Sequence, residues 1–245
     1  MVFKILFVTL LVFVTSAPVG FAHRPFATED AGTLDPGRFE LEIGHDYIEH
    51  GDGDRSVSGT YTVNAGVLEK LEMDFTVPVT YYLRQDDLTE RGLNDLTLVG
   101  KYRLLDETAA LPALTAVGSV TFPTGDSDKG LGNSKTNYQL LAALTKTIGR
   151  VTMHGNVGWD FLSDEKDQVL VRGGFAYEFL PKWHVLGEWE AASDFDSDTD
   201  NETSGLLVGF LWFPNPKWMW DAGIRFGTVS EEDNFVITSG LTLAF

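Results

Sequence analysis

The 245-residue chain contains no cysteine, and it carries only 18 Lys and Arg against 36 Asp and Glu. The first absence removes disulfide frameworks, thiolate zinc sites and cysteine nucleophiles together. The second gives a formal charge of -18; such a chain repels polyanions, so no nucleic acid is expected as a partner. Long apolar runs are missing too. Beyond the first 22 residues no stretch approaches the ~20 apolar residues of a membrane-spanning helix. At 43% hydrophobic and 12% aromatic residues, wholesale disorder is nevertheless excluded.

What is present begins with an export signal. Lys4 precedes an apolar run from Ile5 to Val14, and the small residues Gly20 and Ala22 stand three and one positions before His23. This predicts a secretory signal over residues 1–22, cleaved after Ala22 because the run is too short to stay as an anchor.

From Phe39 onward the hydrophobic period is two. Leu71, Met73, Phe75, Val77, Val79, Tyr81 and Leu83 alternate with Glu72, Asp74, Thr76, Pro78, Thr80, Tyr82 and Arg84. One face is oily and the other polar, as in a strand with two different surroundings. The pattern recurs to the C-terminus and predicts about twelve strands. Their connections alternate in character. Short turns near residues 65–70, 149–150, 180–182 and 214–217 contrast with longer loops near 49–55, 85–94, 125–137, 163–168, 193–203 and 228–234, which hold nineteen of the thirty-six carboxylates. Trp183, Trp212, Trp218 and Trp220 fall at the short-turn end, while Tyr47, Tyr81, Tyr138 and Trp159 fall towards the other, as two interfacial girdles would.

A soluble sandwich or lipocalin-like barrel would show the same period with its oily face inward. The export signal, the sorting of loops, the girdles and the terminal Phe245 favour an all-β transmembrane antiparallel up-and-down barrel over residues 38–245, preceded by a periplasmic segment at 23–37. That segment lacks a two-residue period; it is expected to occlude the periplasmic mouth in part, or to hang loose as an ordinary terminus.

Several segments together resemble a known family: Arg24-Pro25 with Thr28-Glu29-Asp30-Ala31-Gly32-Thr33 and Gly37-Arg38-Phe39-Glu40-Leu41-Glu42, Gly92-Leu93-Asn94-Asp95-Leu96-Thr97-Leu98, Lys101-Tyr102-Arg103, and Phe122-Pro123-Thr124-Gly125-Asp126 followed by Gly130-Leu131-Gly132. They are similar to the outer-membrane proteins grouped under the "MetA-pathway of phenol degradation". That resemblance implies a porin-like barrel associated with passage of small, aromatic compounds.

With the oily face on lipid, the charged face lines the lumen. Phase places Glu40, Glu42, Glu72, Asp74, Arg84, Lys101, Arg103, Asp160, Arg172, Glu178, Glu188, Glu190, Asp221 and Arg225 inside, with Val99, Val117, Leu141, Ala143, Leu170, Leu186 and Leu207 as apolar neighbours. A mixed-charge interior is either a water-filled path that orients solutes or a salt-bridged plug. The apolar positions favour small, partly apolar solutes over sugars and ions.

Other chemistry finds weak support. Asp194, Asp196, Asp198, Asp200 and Glu202 alternate like calcium ligands, but the glycine of such a turn is missing, so a solvated acidic loop is expected and no metal is assigned. Gly125 to Gly130 has phosphate-loop spacing with Leu131 where Lys must stand. A lipid-facing hydrolase needs Ser beside an outward base, whereas the outward neighbour of His45 along its strand is Tyr47. The reading is therefore a passive channel, not an enzyme, without cofactor. The alternatives are a closed structural barrel and an outer-membrane hydrolase. Its expected partners are lipid and lipopolysaccharide, the barrel-insertion machinery through Phe245, and a small solute.

Overall fold

A computed structural model describes residues 24–50, 54–85, 88–163, 166–195, 203–228 and 233–245. The signal sequence and most of the acidic loop around Asp198 lie outside the described residues.

The alternating segments form β1 (Phe39–His50), β2 (Arg55–Leu68), β3 (Leu71–Gln85), β4 (Leu88–Leu93), β5 (Leu96–Leu105), β6 (Ala113–Phe122), β7 (Asn137–Ile148), β8 (Val151–Phe161), β9 (Gln168–Leu180), β10 (Trp183–Ser193), β11 (Thr203–Asn215), β12 (Trp218–Gly227) and β13 (Asp233–Ala244). Neighbours pair antiparallel, β13 returns to β1, and pairing of β2 with β3 closes the sheet. Closure removes both sheet edges, which a membrane demands because lipid offers no hydrogen bonds to an open edge.

Thirteen segments fill twelve barrel positions, because β4 and β5 pair with the same strand, β3. Thr76 faces Thr97 and Val79 faces Leu93, so three residues, Asn94 to Leu96, oppose the two residues Val77 and Pro78. This is a bulge at a proline that has no N–H to offer the ladder. Asn94 N instead donates to Pro78 O at 3.0 Å.

Burial settles which face is inside. Leu140, Val157, Trp159, Val208 and Trp218 are each more than half exposed on the outer wall, while Glu40, Glu72, Lys101 and Asp221 are buried inside. A soluble barrel would invert this. At the short-turn end the outer wall carries a run of rings, with Trp183 stacked on Trp212 at 5.4 Å and Phe210 edge-on to Trp220 at 5.3 Å. Amphipathic rings suit a membrane interface.

One phase assignment is corrected. Val57 pairs with Tyr82 but Ser58 with Thr80, so Tyr81 is an extra residue in β3. A bulge shifts the alternation by one. Leu83, expected on the outer face, is buried, and Arg84, expected in the lumen, is exposed opposite Arg55.

Candidate functional site

Residues 24–36 do not hang from the barrel; they cross its interior as a strap. The chain enters near the short-turn end, where Arg38 N donates to Asp35 O and Gly37 N to Gly66 O, both before β1 begins. It then runs across to mid-barrel. Thr28, Asp30 and Ala31 are as buried as any core residue.

The strap makes no ladder with the wall. Between Arg24 and Leu34, hydrogen bonds to the barrel pair strap backbone with wall side chains almost throughout. Glu188 accepts from Ala27 N at 3.0 Å, Thr28 N at 2.7 Å and Thr28 Oγ1 at 2.5 Å. Asn156 accepts from Glu29 N and donates to Glu29 O, at 2.7 and 2.8 Å. Thr145 accepts from Ala31 N, Thr115 donates to Ala31 O, Glu72 accepts from Leu34 N, and Arg172 donates to Ala27 O. A buried segment without secondary structure must satisfy its peptide groups somewhere, and here the polar lumen does so.

Charge fixes the strap at two further points. Lys101, wholly buried, places Nζ 3.1 Å from Asp30, 3.4 Å from Glu72 and 3.5 Å from Glu29, which joins strap to wall through one ammonium. Near the other end Arg24 reaches Asp46 at 3.2 Å. Phe26 packs on a wall cluster of Leu186, Leu207, Leu211 and Met219 and lies edge-on to His154 at 5.6 Å.

Of the lumen candidates, Glu40, Glu42, Glu72, Asp74, Lys101, Glu188 and Asp221 are buried inside the barrel. Asp160, Arg172, Glu178, Glu190 and Arg225 are half-buried on the same face. Arg225 pairs with Glu188 at 3.3 Å and Glu190 at 3.0 Å, and Arg172 with Glu190 at 3.7 Å. Arg103 sits at the short-turn rim, 3.0 Å from Asp106. Beside these charges, on β5, β6, β7, β9 and β10, lies an apolar patch of Val117, Leu141, Ala143 and Leu170 with Val99 and Ala192; the pair Leu170 and Ala192 adjoins the pair Arg172 and Glu190 on the same two strands. The lumen thus carries the two chemistries side by side.

Sequence reasoning missed the loop between β6 and β7. Residues 123–136 are mostly exposed at the long-loop end, but Leu131 turns in, is buried and packs over Gly92. Asp95, in the β4–β5 bulge, holds the loop by accepting from Gly125 N at 2.9 Å, Asn133 N at 2.6 Å and Asn133 Nδ2 at 3.2 Å. On the exposed part of the loop the Lys129 ammonium, hydrogen-bonded to Asp126, holds that carboxyl below its ordinary range. Two of the resemblance segments, Gly92 to Leu98 and Phe122 to Gly132, therefore supply the two halves of one clasp. Asp95→Ala removes three bonds to a charged acceptor, each worth about 1.5 to 3 kcal/mol. It is expected to free the loop and speed tryptic cleavage after Lys129 by roughly tenfold or more, with the barrel intact; an unchanged cleavage rate would contradict the clasp.

A closed antiparallel barrel with an oily exterior, a charged interior, and a first strand that begins and a last strand that ends at the short-turn side is a barrel of the outer-membrane type. The chain belongs to the family described as "Putative MetA-pathway of phenol degradation", which matches residues 22–245. Among solved structures it is similar to the COG4313 outer membrane channel from Pseudomonas putida F1, with a TM-score of 0.71 at 17% identity over 90% of this chain and 100% of that one. It is also similar to the KdgM porin, with a TM-score of 0.59 at 10% identity over 84% and 99%. The NanC porin gives 0.59 at 9% identity over 84% and 98%. No curated protein matches the sequence.

Proposed function

We propose that this protein is a gated passive channel of a Gram-negative outer membrane, exported through residues 1–22, with its short turns in the periplasm. The observation that carries the reading is the strap. It crosses the lumen yet is tied to the wall by side chains and one covalent link, so it can withdraw without breaking a ladder. With the strap aside, a solute would pass the apolar patch at Leu141 and Leu170 and, beside it, the charges at Glu188 and Arg225. Such a passage suits small molecules with one apolar and one polar side, phenols among them.

A hydrolase is the weaker reading. Ser239 stands across the β1–β13 ladder from the outward-facing His45, a neighbour that spacing along one strand does not reveal. Ser239 Oγ, however, donates to Asp221 O at 3.1 Å, and the His45 ring stacks on Tyr81. Neither group is arranged as nucleophile or base for the other.

Single-channel recording of the refolded protein in a planar bilayer tests the channel. Small, infrequent conductance steps are expected, reduced further as phenol is titrated in. A folded barrel that carries no current, even with the strap deleted, would overturn the reading.

A further inference from the structure

The hollow that holds the Arg24 guanidinium has features that the strap does not use. Gly44 on β1 and Gly240 on β13 face each other across the ladder. A Cβ on either would overlap the Arg24 guanidinium. Two facing strands thus give up their side chains at the same level and leave a flat floor of backbone, against which a planar cation lies. Asp46, Thr238 and the Ser239 carbonyl, which Arg24 Nη2 reaches at 3.4 Å, line its rim.

Asp221 forms the remaining wall and is the informative residue. Its side chain is fully buried, and neither carboxylate oxygen receives a hydrogen bond. The Arg24 Nε, itself without a hydrogen-bond acceptor, is 4.0 Å from Asp221 Oδ1. A Cβ on Gly240 would meet Asp221 Oδ2 at 2.6 Å, so this carboxylate shares the hollow. A buried, ungripped carboxylate is costly unless something else can pair with it. Arg24 is tethered through Pro25 to a strap that Glu188 holds across the barrel, and it engages Asp46 while leaving Asp221 short of a donor. A free planar cation carries no such tether and can present two parallel N–H groups to one carboxylate.

We propose that the hollow over Gly44 and Gly240 is a binding site for small solutes bearing a guanidinium or amidinium group, and that Arg24 is its resident occupant. The proposal rests on the channel reading only in supposing that solutes reach the lumen. A solute of this class competes with Arg24 for the site and so loosens the end of the strap.

Competition with Arg24 tests it. Arg24→Ala empties the site while leaving every barrel residue in place. In bilayers this variant is expected to conduct more than the native protein. Guanidinium chloride added to the native protein should raise its conductance towards the same level, with a half-maximal concentration on the order of millimolar, as suits a ligand of four heavy atoms. Urea, a neutral group of the same shape, and equal NaCl should not. In a separate readout that needs no current, guanidinium should raise the melting temperature of Arg24→Ala above the value in equal NaCl. Both responses should vanish when Asp221→Asn is added, and also with Gly44→Ala, which fills the floor. Equal effects of guanidinium, urea and NaCl, or responses that survive both of these substitutions, would overturn the site. Absence of current from every variant, with the melting response retained, would instead remove the channel and leave the site standing.

Discussion

Deletion of residues 24–36 is expected to raise single-channel conductance by roughly tenfold or more, because a twelve-position barrel falls between eight-stranded barrels filled by side chains and wide porins that hold a water column. Apart from the apolar cluster under Phe26, the groups exposed by the deletion are polar. Glu188, Asn156, Thr145 and Thr115, which now satisfy strap peptides, would be satisfied by water instead. The barrel ladders do not include the strap, so resistance to unfolding should fall only modestly. Recording wild-type and deleted proteins side by side in planar bilayers gives the comparison. Equal conductance would mean that the strap is not what closes the lumen.

Lys101→Ala is the substitution with the largest expected effect on stability. It leaves the Glu72 and Asp30 carboxylates buried, and Glu29 close by, without their shared cation. Removing one partner of a buried ion pair costs about 3 to 5 kcal/mol, since the charge left behind is uncompensated. The strap can relieve this by leaving, and the lack of cysteine in the chain offers a clean report. The Thr33 hydroxyl is buried without a partner, so Thr33→Cys forfeits no hydrogen bond. Its thiol should be protected from a methanethiosulfonate reagent in the otherwise native protein and modified at least roughly tenfold faster beside Lys101→Ala. In a barrel already lacking residues 24–36 the lumen is wet, and the same substitution should cost far less. That non-additivity identifies the strap as the partner that matters. A protected thiol and an unchanged denaturation midpoint would refute the latch.

The barrel was legible in the sequence because each strand carries its own evidence. A residue's neighbours at two positions along the chain share its face, so Glu72 and Asp74 could be placed inside from local alternation alone. That logic fails where the alternation slips. The extra residue at Tyr81 turned Leu83 inward and Arg84 outward, and nothing in the run from Val79 to Arg84 announces it. The bulge at Asn94 to Leu96 likewise divides one barrel position into two segments, although Pro78, lacking an N–H, marks the place on the partner strand. The strap and the clasp were illegible for another reason. Thr28 meets Glu188 across 160 positions of chain, and Asn133 meets Asp95 across 38, through side chain and backbone pairings that have no period. The resemblance segments marked these residues without giving their geometry.

Polar groups of the strap meet Asp46, Glu72, Lys101, Thr115, Thr145, Asn156, Arg172, Glu188, Asp221 and Thr238, which stand on ten different strands. It is laid out like the hub of a wheel whose rim is the sheet. A hub cannot be fitted until the rim is round, because its attachment points reach their mutual distances only when β13 has met β1. Although it is synthesised before every strand of the barrel, the strap must be the last to find its place, and its seating registers that the circle has been completed.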